Sequence, residues 1–354
     1  MTPGPTPVPK EIMEEMAKPI IHHRTPEYQE IFKDVNMSMK KVLRTESDVA
    51  VFASSGTGAM EASVTNILSP GDKAVVVRGG KFGERFGEIC QAYGVEVIPM
   101  DIEWGTAPDP KKIDSILRSK PGVKAVYTTL CETSTATVYD IKAIGGVVKN
   151  YEAALVVDII SGLCADDFWQ DAWNVDMAVG GSQKGLMIPP GLGFVSVSKK
   201  AWKAAEGSKL PKFYFDIKKY KKAAEKEDVP YTPAITLMVG LKKALDMINA
   251  RGLDKVLAES AALADYLRNT MKGMKLEIYS KAPSNAVTAV KVPAGLDGSL
   301  LVKGLKTRGI IVAGGQGELK GKIFRIAHMG AISREDVDAT INALKETLKE
   351  LKIS

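Results

Sequence analysis

Lys184 stands in the stretch Asp176–Gly193, DMAVGGSQKGLMIPPGLG, which opens on a short strand signal (Met177, Ala178, Val179) and breaks at Gly180-Gly181. A lysine at the end of a buried strand, between small residues, is poorly hydrated. Desolvation lowers the pKa of an ammonium, and the neutral amine can condense with an aldehyde. Most lysines are solvated surface charges, so Lys184 by itself favours that plainer reading. Its support lies 26 residues upstream in ALVVDIIS, Ala154–Ser161, an apolar run that reaches Asp158. A fully buried parallel strand with a functional group at its carboxyl end has this form. Alone, Asp158 reads as a helix N-cap or half of a structural ion pair.

Together, the two residues can grip one aromatic ring. An aspartate keeps a pyridinium nitrogen protonated while a strand-end lysine carries the same ring as an imine, which is how proteins bind pyridoxal phosphate and make it an electron sink. A second feature is the turn Ser54-Ser55-Gly56-Thr57-Gly58, between a strand signal at Val49–Ala53 and a helical one at Ala59–Leu68. Free backbone N–H groups and a helix dipole at such a turn attract phosphate. Glu61 replaces the third glycine of a dinucleotide fingerprint, and no Gly-Lys-Ser/Thr follows as in a Walker loop. A tight turn without a ligand fits the same residues. Arg325 lies inside the apolar strand KIFRIAHMG. Buried there, it is held either by a ligand carboxylate or by an internal Asp or Glu.

These residues need a scaffold, and the chain alternates strand and helix signals from Asp48 onward. Strands are predicted at Lys73–Val77, Glu96–Met100, Ala125–Thr129, Leu155–Ile160 and Phe194–Ser198, with helices near Gly83–Tyr93, Pro110–Ser119 and Ile141–Tyr151. The pattern predicts an α/β fold with a mostly parallel sheet covered on both faces, its site beyond the carboxyl ends of the strands. Residues 1–10, rich in proline and glycine, predict an extended arm lying on folded structure, often a partner subunit, or a disordered tail. Helices follow at Lys10–Pro19 and Pro26–Leu43, and a lysine-rich helical segment follows Ser198. After the helix Ile235–Arg251 come another at Leu253–Met271, separated strands (Leu276–Tyr279, Ala286–Val292, Ile310–Ala313, Ile323–Ala327) and two more helices, Gly298–Arg308 and Ser333–Leu351. That is an α+β unit. The expected division is an arm (1–15), a large unit (16–250) and a smaller C-terminal one (251–354).

The length of 354 residues suits such a pair of units, and 45% hydrophobic and 25% charged residues are ordinary for a globular protein. A net charge of +6, with lysines interleaved among acids, argues against a nucleic-acid groove. Cys90, Cys131 and Cys164 form no CxxC pair, which argues against a disulfide framework or structural zinc and fits a reducing cytoplasm. With only His22, His23 and His328, no HExxH metal motif exists. No run of eighteen apolar residues is present, and MTPGPTPVPKEI has no signal-peptide pattern. The expected setting is the cytoplasm, with no membrane, nucleic-acid or metal partner.

SSGTGAME, GGKFG, CETSTATV, VVDIISG, GSQKGL, YTPAI and FRIAHMG, in that order and nearly end to end, make the sequence resemble the class V pyridoxal-phosphate aminotransferases. The nearest branch is the alanine–glyoxylate/serine–glyoxylate (serine–pyruvate) group. The resemblance implies the fold-type-I architecture, with a seven-stranded large domain. By matched position, Lys184 carries the cofactor and shuttles the proton, and Asp158 pairs with the pyridine nitrogen. Phe82 stacks on the ring; Ser55, Gly56, Thr57 and Gln183 bind the phosphate. Ser134, within one residue, lies near the cofactor's 3-hydroxyl, CETSTATV having Ala136 where the family has glycine. Arg325 clamps the substrate carboxylate. The resemblance further implies a homodimer in which Thr232 reaches the other subunit's phosphate. The family's tyrosine three residues before that threonine is absent, with Val229 in its place and Tyr231 nearby.

The implied reaction carries an amino group from a small amino acid, alanine or serine, to a 2-oxo acid such as glyoxylate or pyruvate, in two ping-pong halves. Donors such as ureidoglycine, an aminophosphonate, phosphoserine or aspartate fit the same motifs. A cysteine desulfurase or lyase needs a mobile cysteine and usually a histidine before the lysine; here Gln183 precedes Lys184, and Gly314–Lys320 has no cysteine. A non-catalytic subunit of a redox complex conflicts with retention of both Lys184 and Asp158. A nucleotide-binding dehydrogenase conflicts with the incomplete glycine pattern.

Overall fold

The computed structural model describes residues 1–352. The N-terminal arm leads into α1 (Lys10–Met16) and α2 (Pro26–Leu43). There follow β1 (Asp48–Ser54), α3 (Gly56–Ile67), β2 (Lys73–Arg78), α4 (Lys81–Ala92), β3 (Glu96–Asp101), α5 (Pro110–Ser119), β4 (Val123–Thr129), the ribbon β5 (Cys131–Glu132) and β6 (Thr137–Val138), α6 (Ile141–Val148), β7 (Ala154–Asp158), β8 (Met177–Gly181) and β9 (Gly191–Val197). Helices α7 (Lys199–Gly207), α8 (Ile217–Ala224), α9 (Ile235–Arg251) and α10 (Leu253–Gly273) come next. The chain closes with β10 (Val287–Lys291), α11 (Gly298–Thr307), β11 (Ala313–Gly314), β12 (Ile323–Ala327) and α12 (Arg334–Glu350).

Seven strands form one sheet in the order β1-β9-β8-β7-β4-β2-β3. The five from β8 to β3 are parallel, while β9 runs antiparallel to both its neighbours. Alternate residues of each inner strand enter different cores. Val126, Leu155 and Val157 pack on one face with α2, α5 and α6; Ala125, Tyr127 and Val156 pack on the other with α3 and α4. Burying both faces explains why ALVVD reads as a continuous apolar run, since each valine or leucine buried contributes about 1.5–3 kcal/mol. A second sheet, β10-β12-β11, is antiparallel and packs its own core against α10, α11 and α12.

Local signals set most boundaries. Pro26 starts α2 at a position that needs no N–H, and Arg44 ends it with a left-handed φ of 52°. Ser333 and Asp336 form a capping box at α12. Three sequence expectations shift. The lysine-rich segment after Ser198 is two helices, because Pro211 and its neighbours break the run. Leu276–Tyr279 pairs only through an isolated bridge, Ile278 to Val290, and of Ile310–Ala313 only Ala313 joins a strand. The CETSTATV motif is a hairpin, β5–β6, which its run of threonines and small residues did not signal. Among the described residues, no helix is long and apolar enough to cross a membrane.

Candidate active site

The parallel strands deliver their carboxyl ends to one edge of the sheet. Asp158 is the last residue of β7, Lys184 follows β8 by three residues, and Ser55 follows β1 directly. The turn after β1 packs on the residues just past β7: a Cβ on Gly56 would lie 2.4 Å from Ile160 Cδ1, so a larger residue there would have to displace that side chain. Gly181, on β8, approaches the same turn, its would-be Cβ being 3.4 Å from the Gly56 Cα. The fold thus brings Ser55, Gly56, Thr57, Asp158, Gln183 and Lys184 into one place.

Lys184 is 9% exposed, and burial lowers its ammonium pKa to about 8, against the pull of Cys131 and Asp158 in the other direction. Asp158 is 5% exposed, and burial raises its carboxyl to about 7. One of its oxygens accepts from the Ile160 N–H at 2.8 Å, which partly offsets the shift, while Glu132 nearby adds to it. Lys184 and Arg85 pull it down as well, yet no cation forms an ion pair with Asp158 among the described residues; a pyridinium would supply one.

Ser55 is the N-cap of α3 yet makes no side-chain capping bond, whereas Asp109, Asp140, Ser198, Asp216, Asp297 and Ser333 all cap theirs. The first N–H groups of α3 are therefore open to an anion. Beside them, the buried Gln183 Oε1 has no hydrogen-bond partner. An uncapped helix, the Gln183 amide, whose Nε2 rather than its unpaired Oε1 would donate to a phosphate, and a lysine–aspartate pair together fit the phosphate, the ring and the aldehyde of pyridoxal phosphate.

Arg325, on β12, is 5% exposed, and all its hydrogen bonds go to backbone carbonyls: Gly314 O at 2.9 and 3.1 Å and Thr133 O at 2.9 Å. No carboxylate holds it, so the internal salt bridge foreseen as one alternative is absent among the described residues. Burial lowers its pKa and Glu132 opposes that.

The neighbouring hairpin holds Ser134 and Thr133 in place. The Ser134 hydroxyl donates to Glu132 Oε1 at 2.5 Å and accepts from the Lys81 N–H at 3.0 Å, so its one proton is committed. Thr133 faces the other way and bonds Ser161, three residues past Asp158, at 2.5 Å. Glu132, wholly buried, also accepts from the N–H groups of Phe82 (3.1 Å) and Gly83 (3.0 Å), fixing the start of α4 and with it the Phe82 ring. The sequence did not single out Glu132; an acid inside an otherwise neutral small-residue motif was the available signal.

The arm returns onto its own chain. Thr6 N–H donates to Gln183 O at 3.1 Å, Thr6 Oγ1 donates to Lys184 O at 2.9 Å, and the Lys184 amine donates to the Pro3 carbonyl. A Cβ on Gly4 would lie 2.4 Å from Lys184 Nζ. Thr232, in contrast, is exposed and makes no side-chain hydrogen bond to the other candidates among the described residues. Tyr231 does not free its hydroxyl to replace the missing tyrosine at Val229: it donates to Phe213 O at 3.1 Å and accepts from Lys219.

The sequence model of the class V aminotransferases matches residues 2–339. This chain belongs to the class V aminotransferases. It is accordingly a pyridoxal-phosphate-dependent transaminase of fold type I. It is 42% identical to a soluble hydrogenase small subunit from Synechococcus sp., over 99% of this chain and 93% of that one. It is 35% identical to a serine–glyoxylate aminotransferase from Methylorubrum extorquens, over 94% and 86%. Among solved structures, an aspartate aminotransferase of subgroup IV from Thermus thermophilus superimposes with a TM-score of 0.92 at 34% identity, covering 99% of both chains.

Proposed function

We propose that this aminotransferase takes the amino group of a small monocarboxylic donor, alanine or serine, and delivers it to a 2-oxo acid such as glyoxylate or pyruvate. The carrying observation is Arg325, a buried guanidinium with carbonyl partners only, beside Lys184. One such group accommodates one carboxylate bidentately. The other buried arginine, Arg268, is already paired with Asp265. That favours a monocarboxylate over aspartate, the substrate in the name of the Thermus relative.

When bound, pyridoxal phosphate supplies the electron-poor ring that takes up charge from the substrate's Cα. The chain supplies the rest. Lys184, with its pKa lowered to about 8, releases its proton readily enough to accept the one from Cα and return it at the cofactor's C4′. Asp158, ionised beside the ring nitrogen, keeps that nitrogen protonated. Ser55, Gly56, Thr57 and Gln183 hold the phosphate, and Phe82 stacks on the ring. Ser134 or its neighbour Thr133, whose hydroxyl donates to Ser161, meets the 3-hydroxyl. Arg325 fixes the carboxylate of each substrate in turn; because one seat serves both, the first keto acid leaves before the second binds, in ping-pong order.

A homodimer completes the site, with Thr232 of a second copy reaching the phosphate. Exposed Thr232 and the exposed aromatic Phe213, stacked on Tyr231 with ring centroids 5.8 Å apart, support that surface. The division into arm, large unit (16–250) and small unit (251–354) is supported by the two separate sheets and cores. A cytoplasmic setting is supported by three buried cysteines left as thiols. The hydrogenase-subunit name borne by the Synechococcus relative points elsewhere, but three buried charged side chains converging on one place are costly unless used.

The test is single-turnover bleaching of the visible absorbance of cofactor-loaded protein against alanine, serine, glycine, phosphoserine and aspartate. Alanine or serine should bleach it. Bleaching only by aspartate or phosphoserine would refute the donor assignment.

A further inference from the structure

The chain has ten arginines. Eight form ion pairs with Asp or Glu among the described residues, and the two that form none are Arg325 and Arg85. Arg325 faces the substrate carboxylate in the reading above. Arg85 lies on α4, three residues after Phe82 and so on the same helical face. Its guanidinium carbon sits 4.9 Å from the centroid of the Phe82 ring, and its Nη1 donates to Thr57 Oγ1 at 3.2 Å. Thr57 occupies the first turn of α3, the helix whose N-cap hydroxyl, on Ser55, is uncommitted. None of Ser55, Gly56, Thr57 and Gln183 carries a charge, yet the phosphate they would hold is a dianion. A half-buried guanidinium without a carboxylate, tied to the mouth of that turn, answers this need.

We propose that Arg85 is the counter-charge of the cofactor's phosphate and acts through Thr57, a role that rests on the phosphate seat proposed at Ser55–Thr57. The guanidinium fills one lone pair of the Thr57 hydroxyl, which leaves that hydroxyl's single proton to be donated to a phosphate oxygen. The guanidinium's charge offsets the dianion across the hydroxyl, and its packing on Phe82 keeps it from swinging into solvent. Arg85 is thus a binding and positioning residue and takes no proton itself.

The experiment compares two ligands that differ only in the phosphate. Dissociation constants for pyridoxal 5′-phosphate and for pyridoxal are measured on cofactor-free wild type, Arg85→Gln, Arg85→Lys, Thr57→Val and the double variant Arg85→Gln/Thr57→Val, with circular dichroism as the folding control. Arg85→Gln should weaken pyridoxal phosphate by about tenfold and pyridoxal by less than about twofold, as losing one charge-assisted bond implies. Thr57→Val should have the same selective effect, the double variant should be little worse than either single one, and Arg85→Lys should keep part of the affinity. Parallel weakening of both ligands would overturn the proposal, since Arg85 would then serve only the Phe82 ring. Unchanged affinity for both would overturn it too. Should Arg85→Gln fail to fold, Thr57→Val decides: unchanged pyridoxal phosphate binding refutes the relay. A wild type that binds neither ligand refutes the seat itself, which is distinguishable from one that binds both and ignores the substitution.

Discussion

Burial moves Lys184 and Asp158 toward each other, the amine down to about 8 and the carboxyl up to about 7. In cofactor-free protein the aspartate's shift opposes folding at neutral pH. Its folded pKa of about 7 lies above its ordinary 3.8, so between these values the folded chain binds more protons than the unfolded one. Stability therefore falls as pH rises through that window, and the penalty is complete above its upper end. Asp158→Asn removes the titration. Urea unfolding of cofactor-free protein should show the variant gaining about 2 kcal/mol on wild type between about pH 5 and about pH 8. An unchanged difference would mean that the carboxyl is already ionised at the lower pH. Lys184, Asp158 and Arg325 were legible in the sequence because a charge inside an apolar run is conspicuous wherever the run goes. Glu132 and Arg85 were not, because each acts on residues dozens of positions away: Glu132 on Phe82 and Gly83, Arg85 on Thr57.

At the scale of elements, the start of α4 is held by one buried carboxylate. Glu132→Ala would strand the N–H groups of Phe82, Gly83 and Ser134 together. A loss of about 3 kcal/mol or more in urea unfolding is expected, with weaker cofactor binding as the Phe82 ring loosens. A stability change below about 1 kcal/mol would show that water replaces the carboxylate. The arm makes a second case. Gly4 has a φ of 122° and its would-be Cβ lies against the Lys184 side chain, so Gly4→Ala must displace the arm or the lysine from the other. The variant should keep its melting temperature and lose about tenfold or more in kcat/KM, an effect of geometry near the reacting atoms. The arm's extended nature was readable from its prolines; that it lies on this chain's own lysine was not, since nothing local encodes a partner so distant. Strands of the large sheet were readable through double-sided burial, while β11, with two residues, owes its pairing to β12 alone.

The candidate site draws on two sheets and, by proposal, on two copies. Asp158 ends a strand of the large sheet, Lys184 follows another, and Arg325 lies on the small sheet, so relative movement of the two sheets would change the distance between guanidinium and amine. The exposed Phe213, at 72%, lies on the surface proposed for the second copy. Sedimentation should give about twice the chain mass of 38.1 kDa, and Phe213→Asp should shift it toward monomer while lowering cofactor affinity. A monomeric wild type with full cofactor affinity would remove Thr232 from the site. Fold class was legible from the βα alternation, because strand and helix periods are local. The antiparallel β9 was not, since direction depends on whether the connection crosses the sheet.

The central claim is that the Lys184 amine carries the cofactor. Borohydride reduction of the loaded protein, followed by proteolysis and mass spectrometry, tests it most directly, because reduction makes the bond permanent. The phosphopyridoxyl mass should appear on the peptide containing Gln183-Lys184-Gly185 and at the lysine within it. A mass on any other lysine, or none on a protein that was yellow before reduction, would contradict the account.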